Sequence, residues 1–152
     1  MAVSTFESLD VGSTFSTPAR ELSDHDARAL TGLGGYTHPL FTDASYAAAS
    51  PFGRSPLPGQ ALLLLMGGLV EQSGVFDETV IALVGLDRVR FRAPAFPGDT
   101  VQVEVTVVDK QPKPDGHRGL LIMSWTCLNS SGDTLVEAEA SMLLRTDTEA
   151  TT

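Results

Sequence analysis

The sequence predicts an α+β fold, a curved antiparallel sheet folded around one buried helix. Three observations carry this. Residues 59–72 gather Ala61, Leu62, Leu63, Leu64, Leu65, Met66, Leu69 and Val70 into one run. That run is apolar nearly all round, and a helix of that kind has to be wrapped by other structure. After Asp77 the hydrophobic period changes from helical to alternating, most clearly where Val101, Val103, Val105 and Val107 interleave with Gln102, Glu104 and Thr106. Finally, two long strand-like segments, 120–128 and 134–144, are joined across Asn129-Ser130-Ser131-Gly132-Asp133, which makes them antiparallel neighbours.

The elements follow in order. Ser23, with His25 and Asp26 behind it, reads as the N-cap of a short helix running to about Thr31. Gly32, Gly34 and Gly35 end that helix and loosen the backbone before Tyr36-Thr37-His38-Pro39-Leu40-Phe41-Thr42-Asp43. Asp43 is placed to cap an Ala-rich turn reaching Ala49, and Pro51, Gly53, Pro56 and Pro58 then force an irregular loop. Gly67 and Gly68 lower helix propensity within 59–72 and permit close approach of another backbone. Val80–Leu86 and Arg88–Arg92 read as strands, with Val89 and Phe91 on one face and Arg88, Arg90 and Arg92 on the other. Pro94–Asp99 is a turn, and 110–119, with Pro112, Pro114 and Gly116, a loop. The chain, 1–152, is expected to be one domain with a frayed polar tail at 146–152.

Composition narrows the function. A net charge of −9 disfavours a nucleic-acid partner, which needs a basic face, and an anionic membrane surface. The longest apolar run, 61–66, is too short to span a bilayer, and no basic-then-apolar leader opens the sequence. A cytoplasmic protein is expected. Cys127 is the only cysteine, so no intrachain disulfide and no cysteine-type zinc site can form. It reads as a small core residue rather than a nucleophile. No metal-ligand cluster, nucleotide-binding glycine loop or Ser–His–Asp arrangement is present, so no metal or cofactor is expected.

The order of these elements resembles the MaoC-like, single-hotdog (R)-specific enoyl-CoA hydratases and 3-hydroxyacyl dehydratases. The resemblance covers about residues 8–145 and includes Phe96-Pro97-Gly98-Asp99, a turn common to many hotdog proteins. The family signature is Asp-x-Asn-Pro-x-His-x-Asp-x-x-Tyr-Ala. Pro39, Asp43, Tyr46 and Ala47 match it, whereas the catalytic aspartate falls on Tyr36, the asparagine on His38 and the catalytic histidine on Phe41. The family's His-Gly before the central helix corresponds to Pro58-Gly59.

The resemblance implies addition or removal of water across the α,β bond of an acyl thioester, with a backbone N–H near Gly59 polarising the carbonyl. Phe41 has no proton to exchange. A phenol, with a reference pKa of about 10, makes Tyr36 a poor base and a usable donor. Imidazole, at about 6.5, suits proton transfer. In an extended segment Tyr36 and His38 would project to one side and could replace the Asp–His pair; equally, His38 could hold the loop through a backbone hydrogen bond. Asp43 reads as a cap rather than an acid. Arg88, Arg90 and Arg92 form a strip suited either to a phosphate of CoA or a carrier or to a solvated face. The expected site is therefore Tyr36 and His38 as catalytic residues, with Gly59, Phe41, Arg90 and Arg92 around the substrate.

Three functions fit. One is a hydratase or dehydratase of acyl-CoA or acyl-carrier thioesters with a rearranged acid–base set. Another is a repurposed hotdog enzyme (a cyclase, isomerase or dehydratase) acting on a biosynthetic intermediate. The last is a non-catalytic subunit partnering a competent hotdog chain. Each implies a dimer, homomeric or heteromeric, because a single hotdog has exposed sheet edges.

Overall fold

The computed structural model describes residues 3–146, in the order β1 (Thr14–Ser16), β2 (Arg20–Glu21), α1 (Asp24–Gly34), α2 (Pro39–Thr42), α3 (Ala44–Ala49), α4 (Gly59–Gln72), β3 (Val80–Phe91), β4 (Thr100–Pro112), β5 (Arg118–Asn129) and β6 (Thr134–Arg145). The strands build one antiparallel sheet in the order β1-β4-β5-β6-β3, with β2 also paired to β4. A curved sheet around one apolar helix is the hotdog architecture expected from the sequence. Of the expected tail, only Thr146 lies within the described residues. It donates from its N–H to the His117 carbonyl and from its hydroxyl to the Gly116 carbonyl.

The core lies between α4 and one face of the sheet. Val101, Val103, Val105 and Val107 of β4 point inward, as their alternation requires. Val105 and Ala138 pair with Trp125 from either side, so the largest side chain of the core sits between smaller ones. Met123 is likewise paired to Val107 and Ala140. From α4, Leu62, Leu65, Met66, Leu69 and Val70 complete the layer, all fully or almost fully buried. Each such side chain contributes about 1.5–3 kcal/mol relative to leaving it in water.

Several expectations need correction. The helix is not wrapped all round: Leu64 is 63% exposed. Nothing lies within 4 Å of a Cβ added at Gly67 or Gly68. The sheet covers one side of α4, and α1, which contributes no buried residue, leaves the stripe Gln60–Leu64–Gly68 open. Helix α1 runs past Thr31 to Gly34, because its hydrogen bonding stops only where Gly35 turns left-handed (φ 72°) and donates to Gly32 and Thr31 carbonyls. The two strands expected at 80–92 are one strand, β3, with three register shifts against β6. The last shift contains Arg88 at φ 51°, a strained conformation for a side-chain-bearing residue. The expected loop 110–119 shrinks to 113–117, since Pro112 closes β4 opposite Gly119, at a ladder end where no N–H is needed. Short strands β1 and β2 and the single-turn α2 complete the set, all below the length at which periodicity is readable.

Gly119 shows how tightly the far end is packed. A Cβ there would stand 2.4–2.7 Å from three atoms of the buried Phe6 ring, over which the Lys110 ammonium sits at 4.7 Å. Gly119→Ala is expected to destabilise the fold by roughly 1–3 kcal/mol through overpacking. In a Phe6→Ala background the same change is expected to cost much less. Urea unfolding of both single variants and the double variant checks this; simple additivity would refute the contact.

Candidate active site

The motif segment is held by caps rather than extended. His38 precedes α2, and its Nδ1 accepts the Leu40 N–H at 3.1 Å. A lone pair on Nδ1 places the proton of a neutral imidazole on Nε2, so the exposed nitrogen is a donor. The ring meets Tyr46 edge to face, with centroids 5.5 Å apart. Asp43 is the expected cap: one carboxylate oxygen accepts the N–H groups of Ser45 and Tyr46. Ser23 and Asp26 form the capping box of α1. Hydrogen bonding from the Ser23 backbone is the main cause holding the Asp26 carboxyl below its usual range.

Tyr36 goes another way. Its hydroxyl donates to Oε1 of Gln60 at 2.7 Å, and its ring stands edge-on to Phe41 at 5.4 Å. The ring also folds back over the end of α1, where a Cβ on Gly34 would lie 2.7 Å away. Gly34 is therefore glycine because Tyr36 needs the space. The pair imagined from the sequence does not meet in one contact: Tyr36 is bound to the start of α4 and His38 to the start of α2.

Helix α4 begins differently from the other three. Ser23, His38 and Asp43 each place a side-chain acceptor on the first turn of their helix, whereas Pro58 precedes α4 with no side-chain cap. The N–H groups of Gly59 and Gln60 thus have no acceptor among the described residues. Beside them opens an apolar cavity of about 330 Å³ that includes Phe41, Phe52, Gly59, Leu62, Phe91 and Arg92 in its lining. The Phe91 ring lies directly on Gly59, 3.0 Å from where a Cβ would be. A larger depression, about 910 Å³, lies elsewhere among residues such as Asp77, Thr79, Arg118 and Arg145. It touches none of the expected site residues, so the smaller cavity is the candidate site.

The cationic strip is largely paired. Arg88 reaches Glu139 at 3.5 Å and Arg92 grips Glu137 with two nitrogens at 3.2 and 3.0 Å. Arg90 donates to the Val89 carbonyl at 2.8 Å. The register sets Arg90 opposite Glu137 and Asp87 opposite Glu139 on the face away from α4. Of the two arginines assigned to the substrate, Arg92 borders the cavity and Arg90 does not. Cys127 is 1% exposed, and burial pushes its thiol up to about 11. Phe41, Gly59 and Arg92 thus share one cavity, with Tyr36 joined to it through Phe41 and Gln60. Gln60, Phe52 and Phe91 were not assigned from sequence. Only Gln60 carried a signal, its place directly after Pro58-Gly59.

The class of protein follows from fold and site together: a hotdog domain whose central helix starts without a side-chain cap beside an apolar cavity. The chain belongs to the MaoC like domain family, whose model matches residues 7–120. It is 35% identical over 108 residues to protein MaoC of Klebsiella aerogenes, covering 71% of this chain and only 32% of that longer protein. Among solved structures it is similar to a monoamine oxidase regulatory protein from Archaeoglobus fulgius, at 29% identity and TM-score 0.86 over 96% of this chain and 97% of that one. It is also similar to the (R)-hydratase from A. caviae involved in PHA biosynthesis, at 25% identity and TM-score 0.73 over 90% of this chain and 97% of that one.

The raised Cys127 value has a sign that can be tested. The native state keeps a thiol proton that the unfolded chain releases from its ordinary value of 9.0. This contribution to stability is therefore complete below pH 9 and falls as pH rises toward about 11. Urea unfolding at pH 8 and pH 10 is expected to show a smaller loss of stability for Cys127→Ala than for the parent; equal losses would contradict it.

Proposed function

We propose that this chain is a thioester-binding MaoC-like domain of the hydro-lyase type. The uncapped start of α4 receives the thioester carbonyl, and the Tyr36 hydroxyl, released from Gln60, gives its proton to the α-carbon as water adds at the β-carbon and regains one from that water. The observation that carries this reading is the joining of three features at one place: free N–H groups at Gly59 and Gln60, the Tyr36–Gln60 hydrogen bond and the apolar cavity. The helix dipole adds to the pull on the carbonyl oxygen. The single phenol proton rests on the Gln60 amide oxygen and reaches a developing enolate when that hydrogen bond is exchanged for one to the substrate. His38, with Nδ1 engaged by a backbone N–H, holds the loop and offers Nε2–H as a further donor. Arg92 at the cavity's rim is the cation nearest to where a carrier phosphate would trail.

Crotonyl-CoA, followed by loss of its enoyl absorbance on hydration, tests this. Wild type is expected to turn over. Tyr36→Phe is expected to lower kcat by about 10²–10⁴, the usual contribution of general acid–base catalysis. His38→Asn, which keeps a side-chain acceptor for Leu40, is expected to retain most activity. A wild type without turnover would overturn the hydro-lyase reading. It would favour the second one, a non-catalytic subunit beside a competent hotdog chain, to which Phe41 and the engaged Nδ1 of His38 point.

Either reading uses a paired sheet edge. Among the described residues strand β3 bonds to β6 alone, and its other edge carries no strand. Its Val80, Leu83 and Leu86 lie opposite the inward-facing Leu144, Met142 and Ala140 of β6, yet remain 45%, 46% and 36% exposed. The sheet therefore extends past its helix, leaving apolar surface that a second hotdog chain would cover. Sedimentation of wild type is expected to show a dimer, and Leu83→Asp/Leu86→Asp a folded monomer. An unchanged mass would place the interface elsewhere.

A further inference from the structure

The cavity at the head of α4 has a second cation at its edge, one not assigned from sequence. Arg92 lines the cavity, but Glu137 holds two of its nitrogens, so its charge is already matched. Arg54 is placed differently. Its guanidinium lies over the Phe96 ring, 4.2 Å from the centre, and its Nη1 donates to the Pro97 carbonyl at a long 3.5 Å. Among the described residues no carboxylate comes within 4 Å of it. Both halves of this stack spring from the cavity wall. Arg54 lies between Phe52 and Pro56, which line the cavity, and Phe96 follows Ala95, which also lines it. The two segments are tied together by the Leu57 N–H, which donates to the Ala95 carbonyl at 2.8 Å. Gly53 is left-handed at φ 73°, a turn that lets one short loop present Phe52 to the cavity and Arg54 to Phe96.

We infer that Arg54, stacked on Phe96, binds the phosphate at the end of a pantetheine arm whose thioester lies at Gly59. The inference rests on the thioester reading and deepens it by naming the group through which the carrier is recognised. A guanidinium lying flat on an aromatic ring keeps its N–H edge outward, and that edge matches phosphate oxygens in pairs. The stack also holds the long side chain in place beforehand, so less rotamer freedom is lost when an anion binds. A net charge of −9 disfavours anions over the surface at large, so a phosphate needs a particular cation beside the cavity. Arg54 is the arginine there whose charge no carboxylate offsets. Acyl-CoA and the prosthetic arm of a carrier protein both present this phosphate, so the recognising chemistry is shared.

Three thioesters of one acyl group isolate the phosphate: S-butanoyl-pantetheine, S-butanoyl-phosphopantetheine and butanoyl-CoA. Each is titrated into full-length isotope-labelled wild type, Arg54→Gln and Arg54→Lys, all first checked for native circular dichroism. Amide shifts in nuclear magnetic resonance spectra read affinities into the millimolar range. Wild type is expected to bind the phosphopantetheine thioester about tenfold more tightly than the pantetheine one, the effect of one charge-assisted contact. Arg54→Gln is expected to abolish that ratio and leave the affinity for the pantetheine thioester unchanged, whereas a loop merely loosened would weaken both alike. Arg54→Lys, which keeps the charge and loses the flat stack, is expected to fall between. Butanoyl-CoA binding no more tightly than the phosphopantetheine thioester would assign the phosphate to a carrier protein, and tighter binding would assign it to CoA; each supports the site. Equal affinities for the phosphate-bearing and phosphate-free thioesters in wild type, or equal losses of both in Arg54→Gln, would overturn the role of Arg54 and leave the thioester reading intact. Failure of every thioester to bind any of the three proteins would overturn both.

Discussion

The rest of the structure depends on the burial of α4 against one face of the sheet. A helix this apolar is insoluble as a surface element, so four long strands curve to receive Leu62, Leu65, Met66, Leu69 and Val70. The same burial fixes the helix axis, and therefore fixes where its first turn emerges. At that point Pro58 brings no side-chain oxygen, although Ser23, His38 and Asp43 cap the other helices. Orphan N–H groups beside an apolar cavity are costly unless something accepts from them. A neutral carbonyl oxygen would satisfy that demand without bringing charge into the cavity.

Much of the fold was legible because its signals are long. The α4 boundaries, Gly59 and Gln72, and the strands β4, β5 and β6 each repeat a pattern over a dozen or so residues. The failures are short or bulged. Strand β3 breaks its alternation three times, so Val80, Leu83 and Leu86 share a face at a spacing of three residues, which no period-two template detects. The site was legible in part. Gly59, Phe41 and Arg92 came together because the family framework supplies their positions, and Tyr36 reached the same place through Gln60. The separate fate of His38 was hidden because Pro39 starts a one-turn helix at which His38 becomes the cap. Phe91 was read as a strand residue, correctly, but its contact with Gly59 joins residues 32 apart in sequence.

Tyr36 and Phe41 stand where the resemblance expects an aspartate and a histidine, and neither brings a charge to the cavity. An aspartate and a histidine next to an apolar cavity would each suffer desolvation in the charged form. Tyr36 and Phe41 instead form an edge-to-face pair, and the one polar atom they bring is tied to Gln60. The donors left over are neutral: the Gly59 and Gln60 N–H groups and the Gln60 side-chain NH₂, the Tyr36 proton being spent on Gln60. Donors stabilise negative charge on a carbonyl oxygen, whereas removing an α-proton needs a lone pair. His38 cannot offer one from Nε2 while Nδ1 accepts from Leu40.

Strand β3 ties binding and assembly to one element. Its bulges cost ladder hydrogen bonds and put Arg88 at positive φ, a poor arrangement for a strand whose only task is to close a sheet. What they achieve is to hold Arg88 and Arg90 on the side of Glu139 and Glu137 while Phe91 turns toward Gly59. Without the bulge at Arg88, each residue beyond it would pair one position further along β6 and Phe91 would face outward, with the glutamates. The same strand leaves Leu83 and Leu86 partly exposed. The bulges that turn Phe91 toward Gly59 are thus also what puts Val80, Leu83 and Leu86 on one face of the strand.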